Sequence, residues 1–254
     1  EVEELSAQGY KDITLLGQNV NSYGKDLEED IDFAGLLERV NAIPGDFLIR
    51  FMTSHPKDAG EKLFQAMARC EKAAPHIHLP VQSGCDRVLS AMNRGYTREQ
   101  YLEKVRRLRE LIPHIVLTSD IIVGFPGETR EEFLQTLSLV EEVEYDALFT
   151  FLFSPRPGTP AAALPDPVSP EEKQRNFQQL VDAQNRISAK KHGAYVGTVQ
   201  QVLVDGTSDD PDHPLTGRTP GGRLVHLSGE AGLVGRLIPV TITGSSTWAL
   251  FGDP

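Results

Sequence analysis

The sequence predicts an α/β chain: a parallel barrel built from βα units, followed by a small antiparallel β-barrel. Two observations on pattern and one on composition predict it. Through the first two-thirds of the 254 residues, short apolar runs alternate with amphipathic helical stretches across turns rich in Gly, Pro and Ser. That alternation is the grammar of a parallel sheet. From Gly193 onward helical periodicity stops, and short β-rich runs separated by turns take over, as in small closed barrels. Hydrophobic residues make up 39% and charged residues 24%, ordinary for a globular protein. The division falls into residues 1–192 and 193–254.

The elements follow in order. The first strands are predicted at 13–16, 47–51, 76–81, 115–123 and 147–153, with helices at 33–42, 61–69, 98–111 and 129–143. Thr97 with Gln100, and Thr129 with Glu132, fit the capping-box pattern at two helix starts. Ser169-Pro170-Glu171-Glu172 places a cap, a proline at the first helical position and an acid at the third. It opens a helix to about residue 192, which Lys173, Arg175, Arg186, Lys190 and Lys191 make largely solvated. Strands at 195–204, 223–227, 237–243 and 248–251 form the small barrel, separated by turns at 207–214 and 219–222.

Several function classes drop out early. No apolar run nears the roughly 18–20 residues of a membrane span, and no basic-then-apolar N-terminal segment suggests secretion. The net charge of −11 argues against a broadly cationic nucleic-acid binder, although not against a local basic patch. Two cysteines, Cys70 and Cys85, make neither a disulfide framework nor a close-spaced metal motif, so they read as buried thiols of a cytoplasmic protein. The opening Glu1-Val2-Glu3-Glu4-Leu5 lacks a methionine and reads as the interior of a helix, so upstream sequence is expected.

In a parallel barrel the loops after the strands' C-terminal ends carry the site. Here they read Gly17-Gln18-Asn19-Val20-Asn21-Ser22-Tyr23-Gly24, Thr53-Ser54-His55-Pro56, Leu79-Pro80-Val81-Gln82-Ser83-Gly84-Cys85, Gly124-Phe125-Pro126-Gly127-Glu128-Thr129 and Ser154-Pro155-Arg156-Pro157-Gly158-Thr159-Pro160. Gly and Pro at one strand end are ordinary turn formers. Five successive ends rich in amides, hydroxyls and glycine describe a mouth for a polar, zwitterionic small molecule. Gly124 and Gly127 let the backbone approach a planar ligand. Asp120, inside an apolar strand, needs either a structural partner or a ligand. Arg94 precedes a capped helix and either holds a carboxylate or is a surface charge. Glu128 suits a helix N-terminus. His76 and His78 share one side of a strand, as barrel-lining histidines or, less simply, a metal pair.

The first four of those strings, with Arg50-Phe51-Met52 before the second, His78 before the third and Asp120-Ile121-Ile122-Val123 before the fourth, resemble the radical S-adenosylmethionine tRNA methylthiotransferases in identity, order and spacing. Residues 197–206, Leu215-Thr216-Gly217-Arg218-Thr219 and 235–243 resemble the TRAM RNA-binding module. The resemblance spans essentially the whole chain. It implies a partial (βα)6 barrel of the radical SAM type and a TRAM barrel. It implies methylthiolation at C2 of N6-isopentenyladenosine beside the tRNA anticodon, using S-adenosylmethionine and two [4Fe–4S] clusters, with an electron donor and a sulfur source. The chain departs from the family in holding no Cys-x3-Cys-x2-Cys, nor the first strand or N-terminal domain. The expectation is therefore that the intact parent is the enzyme and these residues alone are inactive, with no catalytic or metal-ligating residue of their own.

By resemblance, Gln18, Asn19, Ser54, Gln82, Ser83, Arg94, Asp120, Gly124 and Phe125 line the S-adenosylmethionine pocket, with the backbone of residues 122–124 beside adenine. His55 and Arg156 are candidates for substrate contact. The last module carries three arginines against six carboxylates, net −3, so the resemblance rather than charge carries the RNA reading. Arg218 and Arg223 flank one turn and are the candidate phosphate contacts, with Lys190 and Lys191 nearby. A monomer acting on the anticodon stem-loop, without a membrane, is expected. Two alternatives stand: a sister enzyme that methylthiolates a ribosomal-protein aspartate, and a non-catalytic RNA-binding protein with a degenerate barrel.

Overall fold

The computed structural model describes residues 1–52 and 54–254; Thr53, in the second strand-end string, lies outside them. Five strands, β1 (Asp12–Leu15), β2 (Leu48–Phe51), β3 (His76–His78), β4 (Val116–Val123) and β5 (Ala147–Leu152), run parallel in chain order. β2 joins the approach to β3 through Ile49, whose N–H donates to Lys72 O at 2.7 Å and whose carbonyl accepts from Ala74 N at 2.9 Å. The result is one curved wall with every connection passing through helix. The helices are α1 (Val2–Ala7), α2 (Phe33–Asn41), α3 (Glu61–Arg69), α4 (Asp86–Ala91), α5 (Arg98–Leu111), α6 (Arg130–Val143) and α7 (Pro170–Gly193).

Strand alternation decides what each face does. On β4, Leu117, Ile121 and Val123 are fully buried against the helices, beside Ile49, Ile77, Phe64 and Phe133 in the main core. Each such side chain contributes roughly 1.5–3 kcal/mol by leaving water. The alternate residues, among them Thr118, Asp120 and Ile122, line the concave face with His76, His78 and Phe149. Both capping boxes are present: Thr97 with Gln100 and Thr129 with Glu132 each satisfy the other's backbone N–H. Ser169 caps α7 by accepting from Glu172 N.

Three differences from the sequence reading have physical causes. β3 stops at His78 rather than 81, because Pro80 has no N–H to continue the ladder; pairing resumes at Gln82, whose N–H donates to Asp120 O at 2.9 Å. α4 is an additional one-and-a-half-turn helix without a side-chain cap. α7 is not largely solvated: it buries Leu180, Ala183 and Ile187 and also the polar Asn176, Gln184 and Ser188. Those polar groups are partnered, Gln184 Nε2 donating to Tyr145 O at 2.9 Å and Ser188 Oγ to Asp146 O at 3.3 Å.

The second barrel closes in the order β10-β8-β7-β6-β9. Its strands are β6 (Val199–Thr207), β7 (Leu215–Arg218), β8 (Leu224–Leu227), β9 (Leu237–Ser245) and β10 (Leu250–Asp253). β7 was not among the predicted strands, and β10 pairs parallel with β8, so the barrel is not wholly antiparallel. Inward residues Val202, Val204, Leu215, Val225, Val240 and Leu250 fill it. The turn after β7 seats on the N-terminal ends of the parallel strands. Arg50 donates to Pro220 O at 2.8 Å and Asp12 at 2.6 Å. A Cβ on Gly221 would lie 2.5 Å from Val116 Cγ2, so only glycine permits this approach. Asp146 completes the joint: 5% exposed, it accepts from Arg223, from Lys191 at 2.8 Å and from Leu117 N at 2.8 Å. No helix among the described residues is long and apolar enough to cross a membrane.

Candidate functional site

The C-terminal ends of the five strands meet along one rim, and the third loop sets its shape. Tyr96 Oη donates to Val81 O at 2.9 Å, Tyr101 Oη to Leu79 O at 2.9 Å, and Val81 N to Ser119 Oγ at 2.9 Å. Burial pushes the Tyr96 phenol up to about 12, so it stays a donor through the physiological range. Held this way, Gln82 adopts φ +73°. That left-handed conformation costs a non-glycine residue about 1–2 kcal/mol and persists where surrounding structure imposes it. Asn93 (φ +56°) turns the chain after α4 and delivers Arg94 to the same rim.

These two turns bound a cavity of about 580 Å³ lined by Gln82, Met92, Arg94, Ile122, Phe125 and Pro160, among others. Phe125 is 4% exposed and packs edge-on against Phe153, with ring centroids 5.3 Å apart. Its neighbour Gly124 has φ +75°, a conformation that side chains rarely adopt, and donates its N–H to Glu128 Oε2 at 2.6 Å. Glu128 is 2% exposed, and burial raises its carboxyl to about 7. Arg94 also lines a second hollow of about 410 Å³, with Lys25, His55 and Asp58. Burial and the guanidinium beside it hold the His55 imidazole below its usual value.

Among the described residues, several buried polar atoms on these loops have no hydrogen-bond partner: Asn19 Oδ1, both amide atoms of Asn21, Ser54 Oγ and Arg94 Nε. Each such atom carries a desolvation cost of roughly 1–3 kcal/mol unless something meets it. Asn19 is oriented by donating to Asp58 at 2.7 Å and to Ser22 at 3.0 Å. Asn21 was passed over as a site residue by the sequence reading, although it lies in the same amide-rich string. A zwitterion with an amino group, a carboxylate and hydroxyls meets this donor and acceptor set.

The predicted residues divide. Gln82, Arg94 and Phe125 come together at the cavity, His55 lies in the adjoining hollow by Arg94 with Asn19 tied to its Asp58, and Ser54 is buried on its loop. Gly124 does not open onto the cavity: the side where a Cβ would stand is filled by the Lys173 side chain. Asp120 sits on the concave face, its Oδ1 3.4 Å from His78 Nε2, while Thr118 Oγ1 bridges His78 at 3.0 Å and His76 at 3.3 Å. His76 and His78 thus line the barrel, and burial lowers His76 to about 4. Gln18 and Arg156 are exposed on their loops. Ser83 points away, fully buried against Thr136 at 3.2 Å. Arg218 is exposed beside Asp205 at 3.1 Å. Arg223 is a correction: its guanidinium is bound to Asp146 inside the domain joint and is not free for phosphate. Lys191 belongs to the same joint, and Lys190 pairs with Glu144. Cys70 and Cys85 are buried and unlinked, and no group of three or more His, Cys, Asp or Glu among the described residues is placed to hold a metal ion.

Comparison with known proteins gives consistent likenesses. Residues 1–140 match the model of the Radical SAM superfamily, and residues 193–254 match the TRAM domain. The tRNA-2-methylthio-N(6)-dimethylallyladenosine synthase of Clostridium botulinum (strain Loch Maree / Type A3) is 53% identical over 253 residues, covering 100% of this chain and 56% of that protein. The protein of the same name from Syntrophomonas wolfei is 51% identical, with 100% and 57% covered. The chain thus spans little more than half the length of these curated relatives. Among solved structures, the radical SAM coproporphyrinogen III oxidase of Escherichia coli aligns with TM-score 0.51 at 19% identity, covering 62% of this chain and 37% of that one. The radical S-adenosylmethionine methyltransferase TsrM of Kitasatospora setae aligns with TM-score 0.51 at 20% identity, covering 70% and 39%. At such identities the two structures bear on the fold alone.

Proposed function

We propose, from the premise that the chain belongs to the radical SAM superfamily, that it supplies the S-adenosylmethionine pocket and RNA-binding module of a tRNA methylthiotransferase. The reaction would be methylthiolation at C2 of N6-isopentenyladenosine next to the anticodon. The relatives' printed names and their 53% and 51% identity support the reaction class. The observation that carries the pocket is the set of unpartnered buried atoms on Asn19, Asn21, Ser54 and Arg94 beside the cavity of Gln82 and Phe125. The same relatives' names favour a tRNA substrate over a ribosomal-protein aspartate.

In this reading Arg94 pairs with the methionine carboxylate, and the amides of Asn19 and Asn21 with Ser54 meet its polar groups. Ile122 and Phe125 flank adenine, and Gln82 closes the side wall. S-adenosylmethionine supplies the radical precursor and the methyl group when bound. A [4Fe–4S] cluster does not fit the residues present. Cys70 and Cys85 are the chain's two cysteines, both are buried, and a cluster takes closely arranged thiolates. Both clusters, the electron donor and the sulfur source belong to the longer protein we propose. The setting proposed is cytoplasmic and monomeric, with Arg218, rather than Arg223, toward the anticodon stem-loop.

Calorimetric titration of S-adenosylmethionine into the chain tests the pocket. Saturable binding that weakens on the order of tenfold in Arg94→Ala is expected, the range of one charged hydrogen bond. Equal binding by Arg94→Ala and Asn21→Ala would remove this assignment.

A further inference from the structure

A second cavity of about 580 Å³ lies between the concave wall and the small barrel. It is lined from both domains, by Phe149, His76 and Gln184 on one side and Arg218, Arg223 and Trp248 on the other. Three of its features point to a ligand. Trp248 is 68% exposed on an ordered turn: Ser246 Oγ accepts from Trp248 N at 3.2 Å and Ala249 N at 3.0 Å, and His192 at the end of α7 bonds Ser246 O at 2.9 Å. Gln184 is 4% exposed, and its Oε1 has no partner; neither does Arg223 Nε, on a side chain 5% exposed. Of the three arginines in the lining, Arg50 and Arg223 are bound to Asp12 and Asp146, while Arg218, its side chain 52% exposed beside Asp205, stands at the cleft edge where a phosphate can reach it.

We infer that this interdomain cleft binds one unstacked nucleotide of single-stranded RNA. The base stacks on the Trp248 indole, the orphan Gln184 Oε1 accepts from a base amino group or ribose hydroxyl, and Arg218 faces the phosphate. Proteins that read single-stranded RNA use this combination of a rigid aromatic face and a cation for the backbone. The cleft runs up from the small barrel toward the rim: Phe149 and Thr150 in its lining pair with Asp120 and Ile121 of β4, roughly 7–10 Å short of Val123 by strand rise. A nucleotide held there lies next to the rim, and the cleft reads the immediate sequence context of the base acted on. The inference rests on the RNA-directed reading above.

Trp248 is the sole tryptophan, so its emission reports on the cleft directly. The whole chain is titrated with an unlabelled single-stranded oligoribonucleotide, with its abasic counterpart, and, by anisotropy, with an end-labelled anticodon stem-loop. Saturable quenching by the oligoribonucleotide, little by the abasic strand, and binding weakened on the order of tenfold in Trp248→Ala but restored in Trp248→Phe are expected. Stem-loop binding with unchanged Trp248 emission and full affinity in Trp248→Ala would overturn the cleft while leaving the RNA reading intact. Absence of any RNA binding at low salt would overturn both.

Discussion

Ser54 and Arg94 hold buried polar atoms without a hydrogen-bond partner among the described residues. Ser54→Ala therefore removes an unmet hydroxyl: the chain's melting temperature should rise slightly while S-adenosylmethionine affinity falls, and a loss of both would mark Ser54 as merely structural. Gln82 permits a similar separation. Gln82→Gly relieves the left-handed backbone, and Gln82→Val adds about 1–2 kcal/mol of destabilisation, because a β-branched residue tolerates positive φ poorly; denaturant melts of the two variants measure the difference. Glu128 gives a pH signature. Its folded-state value of about 7 lies above the ordinary glutamate value of 4.5, so the folded chain binds the extra proton between those limits. The contribution of Glu128 is full below about 4.5 and is lost as pH rises through about 7. Glu128→Gln should flatten stability across that window relative to the parent chain; identical pH profiles would contradict the assignment. Gln82 and Phe125 stand in strand-end strings that the sequence pattern marks and Arg94 just before a capped helix, but their grouping at one pocket came from the family resemblance rather than from local pattern. Ser83 and Arg223 were misread because their partners, Thr136 and Asp146, lie 53 and 77 residues away, and no local pattern marks such a pairing.

Helix starts were the most legible elements, since a cap is a local hydrogen bond written into four residues. Thr97→Ala and Thr129→Ala should each cost about 1 kcal/mol in a chemical melt, and a null effect would mean the boxes are not formed. α4 escaped because Cys85 precedes it without a side-chain cap, and β7 because its four residues include a glycine between turn-rich segments. α7 shows the limit of reading charge as solvation. Arg130 donates to Asn176 and to Gln179, and Gln184 donates to Ser188 at 2.9 Å. The helix meets the wall with both kinds of side chain: Leu180, Ala183 and Ile187 join the main core, and the hydrogen bonds seat the polar residues between them.

At the level of the whole molecule, the small barrel is fixed to the parallel wall by Arg50 and by the buried Asp146–Arg223–Lys191 cluster. Asp146→Asn leaves two cations facing a neutral amide. Breaking a buried pair in this way costs about 3–5 kcal/mol, and calorimetry should resolve the variant's single transition into two as the domains uncouple. One undivided transition at the parent temperature would show the joint to be incidental. The joint also explains why an acidic chain keeps arginines at its seam. The account turns on whether the strand-end rim is a cofactor pocket, and titration of S-adenosylmethionine into the chain and into Arg94→Ala tests that most directly. Saturable binding that Arg94→Ala weakens on the order of tenfold is the predicted result; no heat of binding, or equal affinity in both proteins, would contradict it.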